Sequence, residues 1–222
     1  MIPTPSISHL TKADFRRVYE PAEDSFILLD ALEADASSLT TSLPQRFPLC
    51  VEIGSGSGIV TAFLSSILGP STSAYLTVDL NPHANVCTVA TGKANNVHIE
   101  ALNSSLLSGL RPRIDGNVDV LLFNPPYVPT EEEEEMMAQS KAGIEGSWAG
   151  GEMGTKLVDE LIDGGVVREI LSRGGRFYLV AIKQNDPQGL VKRLQAQGLD
   201  AEVVLARRAG GEHLHVVRAI KP

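Results

Sequence analysis

Leu49-Cys50-Val51-Glu52-Ile53-Gly54-Ser55-Gly56-Ser57-Gly58 is a short apolar run that empties into a glycine loop, and residues 59–68 then resume helical spacing. The run is apolar apart from Glu52, as expected of a strand covered on both faces. Glycines at alternate positions let a backbone approach a ligand closely, and the N-terminus of the following helix favours polar or anionic groups. Strand, glycine loop and helix in this order are the parts of a nucleotide-type site. Working outward, a strand over 74–80, a helix over 83–94, a short strand over 97–101 and a strand over 118–123 continue the alternation. Such alternation predicts an α/β fold with a largely parallel sheet.

The acids around the loop select the ligand. Asp79 ends the second strand, where a carboxylate can accept both hydroxyls of a ribose. The loop itself is E-x-G-x-G-x-G and lacks the G-x-G-x-x-G spacing of dinucleotide proteins. An acid just before the glycines, Glu52, suits the cationic amino group of an amino-acid-bearing nucleoside better than a pyrophosphate. S-adenosylmethionine meets that description. The bland alternative for Asp79 is a turn residue beside Asn81-Pro82.

The second informative stretch is Leu121-Leu122-Phe123-Asn124-Pro125-Pro126-Tyr127, an apolar strand stopped by two prolines that cannot donate to a ladder. Asn124 therefore sits at the carboxyl end of a strand, the edge where open α/β sheets bind ligands. The Asn124 side-chain oxygen and the Pro125 carbonyl are two acceptors in a stiff turn, suited to gripping both hydrogens of one planar NH2. Tyr127 adds a flat face for a conjugated amide or base. Without a cofactor site nearby, the same residues would read as a proline-terminated strand with a core asparagine.

The remaining chain reads as support. Residues 1–18 are an arm laid against a single domain spanning 1–222, and residues 35–48 are a Ser/Thr/Pro-rich loop. Between them, acidic residues after Pro21 open an amphipathic helix carrying Phe26, Leu28, Leu29 and Leu32. Residues 129–154 lack periodicity and form a long loop directly after the Asn-Pro-Pro-Tyr turn, where a lid or substrate surface would lie. Its Glu131 to Glu135 run is expected to be solvated rather than metal-binding, and Trp148 to anchor the loop. A helix over 155–172 ended by Gly174 and Gly175, a strand over 176–182, a helix over 187–197, and a hairpin of strands 201–206 and 213–219 complete the pattern. His213 and His215 share one strand face, but no third ligand stands at sensible spacing, so no metal is expected.

Composition narrows the classes. The 222 residues carry a formal net charge of −8, with 43% hydrophobic and 21% charged residues, ordinary for a globular domain. That average field repels a phosphate backbone, so nucleic acid is an unfavoured partner. The two cysteines, Cys50 and Cys87, lie among apolar residues and read as reduced thiols in a cytosolic or nuclear protein. No run of about 18 apolar residues occurs, so no membrane association is expected.

Taken together, Glu52-Ile53-Gly54-Ser55-Gly56-Ser57-Gly58, Asp79 and Asn124-Pro125-Pro126-Tyr127 resemble the class I methyltransferases of the HemK type, which modify the glutamine of the Gly-Gly-Gln motif in release factors. Tyr19-Glu20-Pro21-Ala22-Glu23-Asp24-Ser25, Trp148-Ala149-Gly150-Gly151 and Arg208-Ala209-Gly210-Gly211-Glu212 resemble the compact eukaryotic and archaeal branch, over about residues 15–220. The resemblance implies a Rossmann-like, seven-stranded, mostly parallel sheet with an antiparallel last strand. It implies that Tyr19, Glu23, Asp24 and Ser25 close over S-adenosylmethionine, with Glu52, Gly54, Gly56 and Gly58 along its methionine side. Asp79 and Leu80 would hold the ribose, and Ser105 and Leu106 would lie near the adenine. Where the family usually has Thr-Asp-Leu, this chain has Ser104-Ser105-Leu106, so a serine oxygen or the nearby Asn103 is expected to stand in for the acid. Asn124, Pro125, Pro126, Tyr127 and Trp148 would form the substrate side.

The same resemblance implies a heterodimer with a small zinc-binding activator subunit and a release factor as protein substrate. Residues 97–101 are expected at a sheet edge with few charges, beside Val86 and Val89, where another chain could add a strand. Two rival activities share the chemistry of a planar or flexible amine: adenine or cytosine amino methylation on nucleic acid, and lysine methylation of a protein. A non-catalytic scaffold with a degenerate pocket is a third reading, and the intact Glu52, glycine loop, Asp79 and Asn-Pro-Pro-Tyr argue against it.

Overall fold

A computed structural model describes residues 1–43, 47–126 and 156–222. Seven strands form one sheet: β1 (Leu49–Ile53), β2 (Ala74–Asp79), β3 (Glu100–Asn103), β4 (Val118–Phe123), β5 (Leu171–Ile182), β6 (Asp200–Ala209) and β7 (Glu212–Ile220). Their order is β3-β2-β1-β4-β5-β7-β6, with β7 antiparallel to both neighbours and every other pairing parallel. This is the arrangement the resemblance implied. The described helices are α1 (Glu23–Ala34), α2 (Ala36–Ser42), α3 (Ile59–Leu68), α4 (Pro82–Ala94), α5 (Lys156–Asp163), α6 (Val166–Ile170) and α7 (Pro187–Ala196). No described helix is long and apolar enough to cross a membrane.

The period of two along each strand divides the core into two layers. Val51, Ile53, Leu121 and Phe123 pack with α5, α6 and α7, whereas Cys50, Val120 and Leu122 pack with α1, α2 and α3. Because both faces are covered, β4 is buried at all six positions, which explains why it reads as apolar apart from Asp119. Connections from β1 run outward to β2 and β3 on one side, and β4 starts the other half. The order reverses between β1 and β4, and the cleft at their carboxyl ends lies at that switch point.

Several elements differ from the sequence expectations, some through distant contacts and some through local backbone geometry. Residues 36–42 form a helix, not a loop, because Leu39 is drawn into the core and Ser38 accepts from the buried Arg176 through its hydroxyl (2.7 Å) and carbonyl (3.2 Å). The short third strand is Glu100–Asn103, later than 97–101. The Val97 amide bonds back to the Gly92 carbonyl at 2.9 Å, closing α4, and Val97 and Ile99 are only 5% and 3% exposed. They belong to the core and not to an open edge, so a charge at either would break packing instead of probing an interface. Residues 155–172 hold two helices, because Gly165 adopts φ 70° between α5 and α6.

Gly174 and Gly175 end no helix; β5 runs through them. Gly174 has φ 76°, and its amide and the Gly175 carbonyl bond to Lys221 at 2.7 and 3.0 Å. Pairing between β4 and β5 shifts register here, and Asp119 takes up the freed groups, accepting from the Leu49 amide at 2.9 Å and from the Ser172 hydroxyl. A Cβ on Gly175 would stand 2.7 Å from the Val118 carbonyl and 2.8 Å from that of Ser172, both rigid backbone. Gly175→Ala is therefore expected to cost about 1–3 kcal/mol of stability, measured as a lowered urea midpoint with unchanged slope.

Candidate active site

The glycine loop leaves β1 at Gly54, whose amide bonds to the Val78 carbonyl at 2.8 Å. Gly54 has φ 69°, and a Cβ there would lie 3.9 Å from the Asn124 carbonyl, so the loop and the Asn-Pro-Pro turn are neighbours across the cleft. Helix α4 fixes the loop from behind. Thr88 donates to Ser55 Oγ at 2.9 Å, and Thr91 Oγ1 donates to the Ser57 carbonyl at 2.6 Å. Gly58 serves this packing: a Cβ would stand 2.8 Å from Thr88 Cα, and Gly58 does not line the cleft.

Asp79 Oδ2 accepts from the Gly56 amide at 3.0 Å and Oδ1 from the Asn81 amide at 2.8 Å. Each oxygen has a second lone pair, so the carboxylate that shapes the loop can still accept from a ligand. Burial raises its pKa above the usual carboxylate value, and the two backbone donors oppose that shift.

Glu52 lies on the cleft floor, 3% exposed. Its Oε2 accepts from the Thr61 amide at 3.1 Å and from the Thr61 hydroxyl. Burial pushes its pKa from 4.5 up to about 8, with the Thr61 bonds holding it down and Asp79 adding to the rise. A cationic ligand group beside it would favour the charged form. In the ligand-free chain the native state keeps the Glu52 proton after the unfolded state has lost it. Native stability therefore falls as pH rises through the window from 4.5 to about 8. Glu52→Gln is expected to flatten that fall by a few kcal/mol, since a tenfold difference in proton affinity between folded and unfolded chain is worth about 1.4 kcal/mol. Thermal melts at pH 5 and pH 8.5 (chosen to bracket the window) check it.

Opposite the glycine loop, Asn124 follows β4. Its Nδ2 donates to Asp24 Oδ2 at 2.9 Å, and its buried Oδ1 has no hydrogen-bond partner among the described residues. Asp24, at the start of α1, also accepts from the Tyr19 hydroxyl at 3.1 Å and the Ser25 amide at 2.7 Å. An unpartnered buried acceptor is costly, so this oxygen lacks a donor that the described residues do not supply.

The cleft gathers Tyr19, Asp24, Ser25, Glu52, Gly54, Gly56, Asp79, Leu80, Ser105, Leu106, Asn124, Pro125 and Pro126. Glu23 is exposed on the outer face of α1 and stays outside the cleft, because one helical step turns it away from Asp24. Asn103 does not line the cleft either. Its amide donates to the Asp79 and Leu80 carbonyls at 3.0 and 2.8 Å, leaving Ser104 and Ser105 as the polar groups of that wall. Tyr127, Trp148 and the 129–154 loop lie outside the described residues. The His213 and His215 rings lie tilted with centroids 4.5 Å apart, and among the described residues no three potential ligands gather for a metal.

Among the lining residues that sequence reasoning missed are Val18, Val60, Val78, Asn81 and Ala84. Asn81 had a legible signal. It caps α4, accepting from the His83 amide at 3.0 Å, and its Nδ2 donates to the Arg17 carbonyl at 2.6 Å, which holds the N-terminal arm over the cleft. Val18 had none, since its burial against Ala84 and Cys87 is purely tertiary.

The methyltransferase small domain family model matches residues 29–143. A mouse protein named methyltransferase HEMK2 is 44% identical over 99% of this chain and 97% of its own length. The eRF1 methyltransferase catalytic subunit mtq2 of Schizosaccharomyces pombe is 38% identical, covering 98% of this chain and 95% of its own. Among solved structures, the E. cuniculi Mtq2–Trm112 complex, described as methylating the termination factor eRF1, superposes with TM-score 0.62 at 24% identity. It covers 92% of this chain and 99% of the matched one.

Proposed function

Because this chain belongs to the HEMK2 and Mtq2 family of class I methyltransferases, we propose that it methylates the side-chain amide nitrogen of the glutamine in the Gly-Gly-Gln motif of a class I release factor. It is an S-adenosylmethionine-dependent methyltransferase. The observation that carries the finer reading is the divided Asn124 amide, with Nδ2 spent on Asp24 and Oδ1 left unpartnered among the described residues. That arrangement asks for a donor, and a primary amide supplies one.

When bound, S-adenosylmethionine supplies a methyl group made electrophilic by its sulfonium. The buried acid Glu52, the approach allowed at Gly54 and the second lone pairs of Asp79 fit its amino-acid and ribose ends. A neutral amide is a poor nucleophile, so this chain's residues must act by orientation. Asn124 Oδ1 and the Pro125 carbonyl grip the two hydrogens, which fixes the plane of the nitrogen and turns its face toward the glycine loop. Proximity and alignment can supply several kcal/mol of barrier lowering without any group taking covalent part.

The decisive assay is methyl transfer to recombinant release factor, wild type and with the motif glutamine changed, beside DNA, RNA and lysine-peptide controls. Incorporation that vanishes with the glutamine supports the proposal. Methylation of the nucleic acids or of lysine instead assigns one of the rival activities. A net charge of −8 favours the protein substrate over a phosphate backbone. We propose a cytosolic location, with the nucleus as a second compartment, a reading supported by a release-factor substrate and by two free, buried cysteines.

We further propose a heterodimer with a small zinc-binding activator subunit seated on the β3 edge. Val86 on α4 is 69% exposed and Leu102 on β3 36%, forming the apolar surface beside that edge. Leu102→Glu with Val86→Glu is expected to abolish co-purification of the activator, whereas Val86→Thr leaves it nearly intact. Undiminished complex with the double variant would move the partner elsewhere.

A further inference from the structure

We propose that Asp24 is a positioning residue that decides which end of the Asn124 amide faces the methyl acceptor. This rests on the acceptor being a planar NH2, as proposed above. An asparagine amide is symmetrical in shape, and rotation by half a turn exchanges an acceptor for two donors at the same place. Only the neighbouring groups decide which is presented. Here the neighbour is a carboxylate, which accepts and cannot donate, so Nδ2 turns toward it at 2.9 Å and Oδ1, on a residue that lines the cleft, is left without a partner among the described residues.

Asp24 is itself held in place. It is 4% exposed, and its other oxygen accepts from the Ser25 amide and the Tyr19 hydroxyl. The donors on it, the Tyr19 and Ser25 hydroxyls, the Ser25 amide and the Asn124 amide, are all neutral, so its negative charge is not consumed in an ion pair with them. A charge-assisted bond to Asn124 polarises the amide and strengthens Oδ1 as an acceptor. Asp24 thus acts on the acceptor nitrogen through Asn124, with Tyr19 as its own support. The two residues are 100 positions apart, and neither one's local sequence announces the pairing.

Asp24→Asn tests the idea with minimal change of shape. The amide introduced by that substitution can donate to Asn124 Oδ1, which captures the free acceptor and lets the flipped Asn124 amide point its NH2 at the substrate NH2. Single-turnover rate at saturating cofactor is expected to fall at least about 30-fold, whatever the variant does to cofactor affinity. Asn124→Asp alone sets two carboxylates against each other, so one must hold a proton, and the rate falls as well. The swapped pair, Asp24→Asn with Asn124→Asp, restores donor toward acceptor and an oxygen toward the cleft. It is expected to turn over at least about tenfold faster than either single variant, a recovery that a merely structural role for Asp24 would not produce.

The assignment is overturned by an Asp24→Asn saturated rate within threefold of wild type, or by a swapped pair no faster than the singles. A substrate-free readout separates this from the glutamine reading. In the full-length chain with 15N-labelled asparagine, the Asn124 side-chain NH2 protons should exchange slowly, and in Asp24→Asn they should exchange fast. Free exchange in the wild type refutes the positioning role whatever the substrate is. Slow exchange with no methylation of release factor sinks the substrate reading and leaves the positioning role standing. Should Asp24→Asn fail to fold, the wild-type exchange measurement still decides.

Discussion

Asn124→Ala is expected to abolish methyl transfer while leaving cofactor affinity nearly unchanged. Asn124 lines the cleft at the end of β4, across from the glycine loop, and its buried Oδ1 has no partner among the described residues, which leaves it as the acceptor proposed for an incoming NH2. Loss of one oriented hydrogen-bonding group at a reacting centre costs about 3 kcal/mol or more of barrier, a rate reduction of at least about 100-fold. Alanine also removes the donor that Asp24 Oδ2 now uses, so a small loss of stability, on the order of 1–3 kcal/mol, should accompany the lost rate. Single-turnover kinetics at saturating cofactor and calorimetric cofactor titration measure the two quantities separately. A variant that loses cofactor affinity but keeps its saturated rate would remove Asn124 from the acceptor site.

Asp79→Ala should produce the inverse pattern, with cofactor affinity weakened by two orders of magnitude or more. Charge-assisted hydrogen bonds are worth about 1.5–3 kcal/mol each, and a ribose offers two donors. The geometry adds a second loss, because the same oxygens hold the Gly56 amide at 3.0 Å and the Asn81 amide at 2.8 Å. Alanine therefore loosens the loop as well as removing the ligand contact. Asp79→Asn separates the two effects, since its one remaining oxygen can keep a loop bond at the expense of charge. Its Kd should fall between those of wild type and alanine. Unchanged affinity in a folded Asp79→Ala chain would leave Asp79 as a turn residue only.

Both variants touch groups that were legible as letters. Strand 49–53, the glycine loop, helix 59–68 and strand 118–123 match β1, α3 and β4 residue for residue. Their signals are local: apolar runs, glycines where φ turns positive, and prolines that stop a ladder. The errors cluster where a distant contact overrides a local preference. The Ser/Thr-rich 36–42 stretch is helical because Arg176 and the core claim Ser38 and Leu39. Gly174-Gly175 looks like a helix stop and is a bulge shaped by Val118 and Ser172.

By itself the sequence determined the strand–glycine-loop–helix unit, the Asn-Pro-Pro turn, the acids Glu52 and Asp79, and through these motifs the methyltransferase fold, because each depends on neighbours within a few residues. Only the tertiary structure decided that Gly58 packs on Thr88 while Gly54 and Gly56 face the cleft, that Glu52 is buried deeply enough to titrate near pH 8, and that Asp24 grips Asn124. Those outcomes depend on desolvation and on contacts between segments tens to a hundred residues apart. Spacing along the chain carries no record of either.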